Sequence, residues 1–147
     1  MSRLFLVLCV SLPLLLSACL QTLPPAPSKP LSLQGVTWRL TRLNGQPIPA
    51  DNAPFLKFTS ATEVAGSGGC NRLSGQYRQE GGRIVFRQMI VTRMACLGDR
   101  MTRETEFLKA LQETTAWTQL AQEPSRLTLR DGERRPLLEL EATDAEK

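Results

Sequence analysis

The chain contains no histidine, one tyrosine and two tryptophans among 147 residues. Without histidine it has no side chain whose ordinary titration falls near neutral pH, and no Cys–His or Ser–His pair for nucleophilic catalysis. Cysteine and carboxylate spacings of the kind that hold zinc are missing. No Lys-Ser/Thr pair follows the one glycine-rich stretch, so it is not a phosphate-cradling loop. Cys70 as a nucleophile would need another group to lower its pKa, and the sequence shows no such group. Carboxylate pairs such as Glu104 and Glu106 fall on a presumed exposed helix face and read as solvated. Neither catalysis nor a bound metal or other cofactor is expected.

Runs of one charge are absent as well. The formal net charge is +4, and the basic residues are spread through strand-like and helix-like segments. A nucleic-acid partner, which calls for a clustered basic footprint, is not expected. The longest apolar run, Leu4 to Leu16, is 13 residues, short of the roughly 20 that span a bilayer as a helix.

That run has another reading. Arg3 precedes it and two small residues, Ser17 and Ala18, follow it, which marks residues 1–18 as a signal peptide. Leu16-Ser17-Ala18-Cys19 looks like a bacterial lipobox, in which the Cys19 thiol takes a diacylglyceryl group and becomes the acylated first residue. One acyl chain holds a protein only marginally, whereas two or three, palmitate among them, hold it firmly. The membrane, reached through acyl chains on Cys19, is then a partner. Leu20 stands where an aspartate commonly retains such proteins in the inner membrane, so the periplasmic face of the outer membrane is the expected location. In a Gram-positive source it would be the cell membrane. Residues 19–32 form a proline-rich linker that lifts the domain off the membrane.

Beyond the linker the chain alternates apolar and polar residues. Val36 to Leu43 reads as a half-buried strand with Val36, Trp38 and Leu40 on one face and Arg42 in the same phase. Asn44-Gly45 ends it with turn chemistry. Phe55–Phe58, Glu63 into the glycines, Gln76–Arg78, Arg83–Phe86 and Met89–Thr92 are further strand segments. The period changes from Arg100 to Thr114, an amphipathic helix with Phe107, Leu108 and Leu111 on one side, Met101 a turn back and Asp99 as N-cap. Strand periodicity returns at Ala116–Leu120, Arg126–Arg130 and Leu137–Leu140, with Asp131-Gly132 in a hairpin and a polar tail over 143–147. The expected fold is α+β: a small, curved, mostly antiparallel β-sheet or partly open β-barrel packed against one α-helix. Seven aromatics follow residue 18, about what the core of one such domain consumes.

Two islands carry the remaining cysteines. Gly66 to Tyr77 holds four glycines, Cys70 and the only tyrosine; Thr92-Arg93-Met94-Ala95-Cys96 holds the other cysteine. The glycines read as backbone geometry in a bulged strand, and Tyr77 as a ring packed on the sheet. Asn71 and Arg72 are left to face outward or cap a turn. Cys9 leaves with the signal and Cys19 takes lipid, so Cys70 and Cys96 are an even pair in an oxidising compartment, where a disulfide is expected. The alternative is two buried thiols packed as small hydrophobes.

The pairing of Gly69-Cys70-Asn71-Arg72-Leu73-Ser74-Gly75-Gln76-Tyr77 with Thr92-Arg93-Met94-Ala95-Cys96 resembles the META domain of HslJ-like bacterial envelope lipoproteins. The resemblance runs over residues 33–142. It departs at Leu73, where an aromatic is common, and at Leu97-Gly98, where a polar or proline-containing turn is usual. It implies a compact β-rich domain with a helix, and a stress-related envelope protein with links to antibiotic tolerance, for which no catalytic residues can be carried over. The expected function is that of a lipid-anchored, non-enzymatic protein acting by contact with an envelope protein still to be identified. Two other roles suit a small β-rich lipoprotein. A lysozyme inhibitor should be acidic, and the positive charge argues against it. A pilot or chaperone for an outer-membrane component would show an exposed apolar strip.

Overall fold

The computed structural model describes residues 32–143. The expected signal peptide, Cys19, the expected linker up to residue 31 and residues 144–147 lie outside the described residues. Among the described residues no helix is long and apolar enough to cross a membrane.

Strand β1 (Thr37–Leu43) buries Trp38 and Leu40 as the alternation demands. A bulge between Leu40 and Arg42 then shifts the phase, so Leu43 enters the core and Arg42, expected in phase with Leu40, stays outside. Asn44 and Gly45 adopt φ of 48° and 80°, the doubly left-handed pair of a tight hairpin turn. The chain returns as the two-residue strand β2 (Gln46–Pro47). Strands β3 (Phe55–Phe58), β4 (Glu63–Ser67), β5 (Arg72–Glu80) and β6 (Arg83–Val91) then pair antiparallel in succession. The separate segments expected at Arg83–Phe86 and Met89–Thr92 are one strand, β6, with Gln88 at φ 51°. After helix α1 (Arg100–Glu113), strands β7 (Ala116–Leu120), β8 (Glu123–Arg130) and β9 (Pro136–Thr143) complete the sheet. Thr143, expected to begin a polar tail, closes β9 and donates from its hydroxyl to the Thr37 carbonyl at 3.2 Å.

Strand β1 makes the sheet curl, because it pairs with β3 on one edge and with β9 on the other. The nine strands form a curved ring rather than a clean barrel, since β6 and β7 register at only one pair, Arg83 with Ala116. Helix α1, which joins those two strands in sequence, packs against β6, β9 and β1. Its fully buried Phe107 and Leu111 meet the inward side chains of the sheet, Trp38, Phe58 and Leu140 among them. Each such side chain contributes roughly 1.5–3 kcal/mol by leaving water. The ring of Tyr77 packs edge-on to Phe58, centroids 4.8 Å apart, and its hydroxyl donates to the Ser60 carbonyl at 2.8 Å.

The helix departs from expectation at its start. Asp99 occupies the N-cap position but makes no capping bond; its carboxylate pairs with Arg103 at 2.6 Å. Met101 is exposed and the buried stripe is Glu104, Phe107, Ala110 and Leu111. Phe107 and Leu111 are four apart, and Glu104 precedes Phe107 by three, so helical geometry alone carries the carboxylate inward.

The turn from β8 to β9 is held by one side chain. The Asp131 carboxylate accepts bonds from the amides of Glu133 (2.9 Å) and Arg135 (2.8 Å) and from Arg135 Nε (2.7 Å). Burial pushes its pKa up, but the Arg135 hydrogen bonds and charge, with the Glu133 amide, outweigh this and hold it below the ordinary value. A carboxyl depressed by folding contributes stability above its unfolded pKa and loses it as pH falls through the folded one. Asp131→Asn should therefore be less stable than wild type at neutral pH, with the gap in denaturant midpoint closing below about pH 4. A gap independent of pH would show that the pair with Arg135 contributes nothing.

Candidate functional site

The expected bulged strand of glycines is two strands and a turn: β4 stops at Ser67, the chain turns through Gly68 to Asn71, and β5 resumes at Arg72. Gly69 takes φ 97°, and a Cβ there would meet the Asn52 carbonyl oxygen at 2.8 Å, so both conformation and space require glycine. The turn is closed by Gly68 N–H donating to the Asn71 carbonyl (2.9 Å) and by the Ser67 hydroxyl, which accepts from Gly69 N–H at 3.1 Å. The next two amides, of Cys70 and Asn71, point together at the helix. Gly68 leaves room for what they receive, since a Cβ on it would overlap the side chain of Glu104.

Glu104 is 6% exposed and was expected in solvent. Its Oε2 accepts from the amides of Asn71 (2.6 Å) and Cys70 (3.3 Å), and its Oε1 accepts from Asn71 Nδ2 (2.7 Å). No lysine or arginine pairs with it among the described residues. A buried carboxylate is tolerated when hydrogen bonds replace its water, and here backbone and amide donors do so without a cation.

Asn71, expected to face outward or cap a turn, is 3% exposed and is the hub. Besides its two bonds to Glu104, its Oδ1 accepts from the Thr92 hydroxyl (2.8 Å) and from Met94 N–H (2.7 Å), and Nδ2 also reaches the Met94 carbonyl at 3.5 Å. Its carbonyl accepts from Gly68 N–H and from the Ser67 hydroxyl. Every donor and acceptor of this asparagine is used. Aspartate has no amide donor to offer Glu104, and glutamine sets its amide one carbon further out.

The other expected site residues fall around this hub. Cys70 and Cys96 are bonded, Cα atoms 5.9 Å apart, within the usual span of a disulfide. Thr92 ties the exit of β6 to β5, its hydroxyl accepting from Arg72 N–H at 3.2 Å. Met94 offers its backbone to Asn71 and leaves its side chain outside, while Ala95 follows on the surface. Gly75 sits on β5 opposite the bulge of β6, where a Cβ would collide with Met89. Arg72 is exposed, as expected, and Tyr77 belongs to the core rather than to the hub. Glu104 is the member that residue-by-residue reading misses; its place on the Phe107–Leu111 stripe is the one signal that finds it. The arrangement immobilises a turn, a loop and a helix, and every polar atom in it is occupied.

The META domain family matches residues 31–144. The heat shock protein HslJ of Escherichia coli K12 is 31% identical over 93 residues, covering 63% of this chain and 65% of HslJ, so the match spans just under two thirds of that relative. Among solved structures, an NMR structure of a protein from Burkholderia xenovorans superposes with TM-score 0.64 at 22% identity, over 85% of this chain and 95% of that one. Another NMR structure gives TM-score 0.59 at 26% identity, over 74% and 90%. A DUF4847-family protein from Bacteroides vulgatus shares the fold at TM-score 0.55 and 12% identity, over 78% and 96%.

The contrast between Gly68 and Arg72 tests the geometry. Gly68→Ala should lower stability by about 1–3 kcal/mol, because its methyl group pushes Glu104 off its donors. Arg72→Ala should stay within about 0.5 kcal/mol of wild type. Chemical unfolding of the two purified variants decides it; equal midpoints would mean that Glu104 is not held as described.

Proposed function

The chain belongs to the META domain family, and on that premise we propose that it is a lipid-anchored, non-enzymatic protein of the cell envelope. It acts by contact with another envelope protein, in stress or antibiotic tolerance and envelope integrity. The observation that carries this reading is the state of the motif: Asn71 and Glu104 spend their hydrogen-bonding capacity on each other, on the Thr92 hydroxyl and on backbone. A carboxylate with three donors and no open approach neither takes a proton from a substrate nor stabilises a charge on one. The motif holds the fold, and recognition is left to the outer surface. HslJ is named a heat shock protein, which supports a stress-related role.

The anchor rests on Leu16-Ser17-Ala18-Cys19 and on the proline-rich chain after it, which separates the fatty chains from the domain. Leu20 in place of aspartate favours the outer membrane and its periplasmic face.

Intact mass spectrometry of the membrane fraction tests the anchor. The mature protein should begin at Cys19 and carry acyl chains, and Cys19→Ala should accumulate as an unacylated precursor that no longer partitions into detergent. A wild-type mature chain that starts elsewhere and carries no lipid would refute the anchor.

A further inference from the structure

The basic residues that look scattered along the chain are gathered by the fold. Between residues 72 and 103 there are seven arginines and two acids, a local charge of +5 against +4 for the whole chain, so this segment supplies the entire positive excess. The β5–β6 pairing puts Gln76 beside Arg87, Arg78 beside Val85 and Glu80 beside Arg83, opposite in phase to the buried pair Tyr77 and Phe86. Arg78, Arg83 and Arg87 therefore share the outer face, where they line a shallow concavity of about 290 Å³. Arg72, Arg83, Arg87, Arg93 and Arg100 have no ion-pair partner among the described residues. On β8 and its turn, by contrast, Arg126 and Arg135 each pair with two acids, while Arg130 and Arg134 pair with none among the described residues.

Ile90, 69% exposed, continues this face toward the end of β6, and the loop that follows exposes Met94 at 60% and Leu97 at 92%. A leucine with so little protein around it stands on a protrusion, not in a groove. The protrusion is also held still. Asn71 binds the Met94 backbone at its N–H and carbonyl, and Cys96, between Met94 and Leu97, is bonded to Cys70. Ordering costs on contact are thereby reduced.

We propose that this face, the outer side of β5–β6 with the loop from Arg93 to Leu97, docks on an anionic phospholipid bilayer. Met94 and Leu97 enter the headgroup region, and Arg72, Arg87, Arg93 and Arg100 lie against lipid phosphates. Arginines around a short apolar tip are the pattern of interfacial binding. A folded acidic partner would have to present a pocket to receive Leu97, whereas a bilayer accommodates a protrusion without one. The 13 residues from Leu20 to Ser32 reach at most about 45 Å when extended, more than the roughly 35 Å breadth of a domain this size, so an anchor at Cys19 and this face can meet one membrane. Docking would leave the β8–β9 side turned toward a protein partner.

Flotation with lipid vesicles tests the proposal on the chain from Leu20 onward, which keeps every described residue and carries no acyl group, so its failure is separate from failure of the anchor. It should float with vesicles of phosphatidylcholine and phosphatidylglycerol at 7:3, and not with phosphatidylcholine alone. Removing two charges by Arg87→Gln with Arg93→Gln should weaken binding about 25-fold, roughly five-fold for each arginine. Met94→Ser with Leu97→Ser should weaken it about ten-fold, with unchanged thermal melting showing that the fold is intact. No flotation with the anionic vesicles, equal flotation with both, or full binding by the Met94/Leu97 variant would overturn the proposal. Binding to soluble polyglutamate as tight as to the anionic vesicles would overturn it too, in favour of an acidic protein partner.

Discussion

A carboxylate buried without a cation ties this domain together. Glu104 cannot be left dry and unbonded, because stripping water from a charge costs several kcal/mol unless donors replace it. Its donors come from the turn between β4 and β5, 33 and 34 residues earlier in the chain. The helix must therefore dock in one register, the turn must keep its amides convergent, and the loop after β6 must hold Asn71 from its other side. A purely apolar contact between helix and sheet would tolerate sliding; this one does not. The disulfide joins two of these three elements, the turn and the loop. It closes a ring of about 27 residues, and a chain-entropy treatment gives it roughly 3.5 kcal/mol.

The division of labour follows from this. The motif whose residue types most resemble a reactive site is turned inward and saturated, and the residues around it that remain exposed are arginines and a short apolar protrusion. Rigidity in the interior and chemistry at the surface are linked through Met94, whose backbone belongs to the hub while its side chain faces solvent.

Much of the fold was legible in the sequence, for physical reasons that can be named. Alternation placed Trp38 and Leu40 in the core, Asn44-Gly45 fixed a turn, and the change of period found α1. The disulfide followed from counting cysteines on the expectation of an oxidising compartment. The misreadings have a common origin in effects that only the third dimension decides. The bulge after Leu40 exchanged Arg42 for Leu43, and nothing local distinguishes a bulged strand from a regular one. Asp99 found a side-chain partner one turn along and did not cap. Glu104 was placed in solvent, and Asn71 facing outward or capping a turn, because polar residues usually are, and the donors that make Glu104 tolerable inside lie far away in sequence. The arginines looked dispersed because a hairpin spaces them along the chain while stacking them on one face.

The most direct test is a double-mutant cycle in unfolding free energy between Asn71→Ala and Glu104→Ala. Each single change strands the groups left behind, whereas the double change removes both sides of the bond. If the two residues form one unit, the double variant loses less than the sum of the singles, by about 1 kcal/mol or more. Additivity within about 0.3 kcal/mol would show that the two side chains act independently, leaving Glu104 tied to the turn through the Cys70 and Asn71 backbone amides alone.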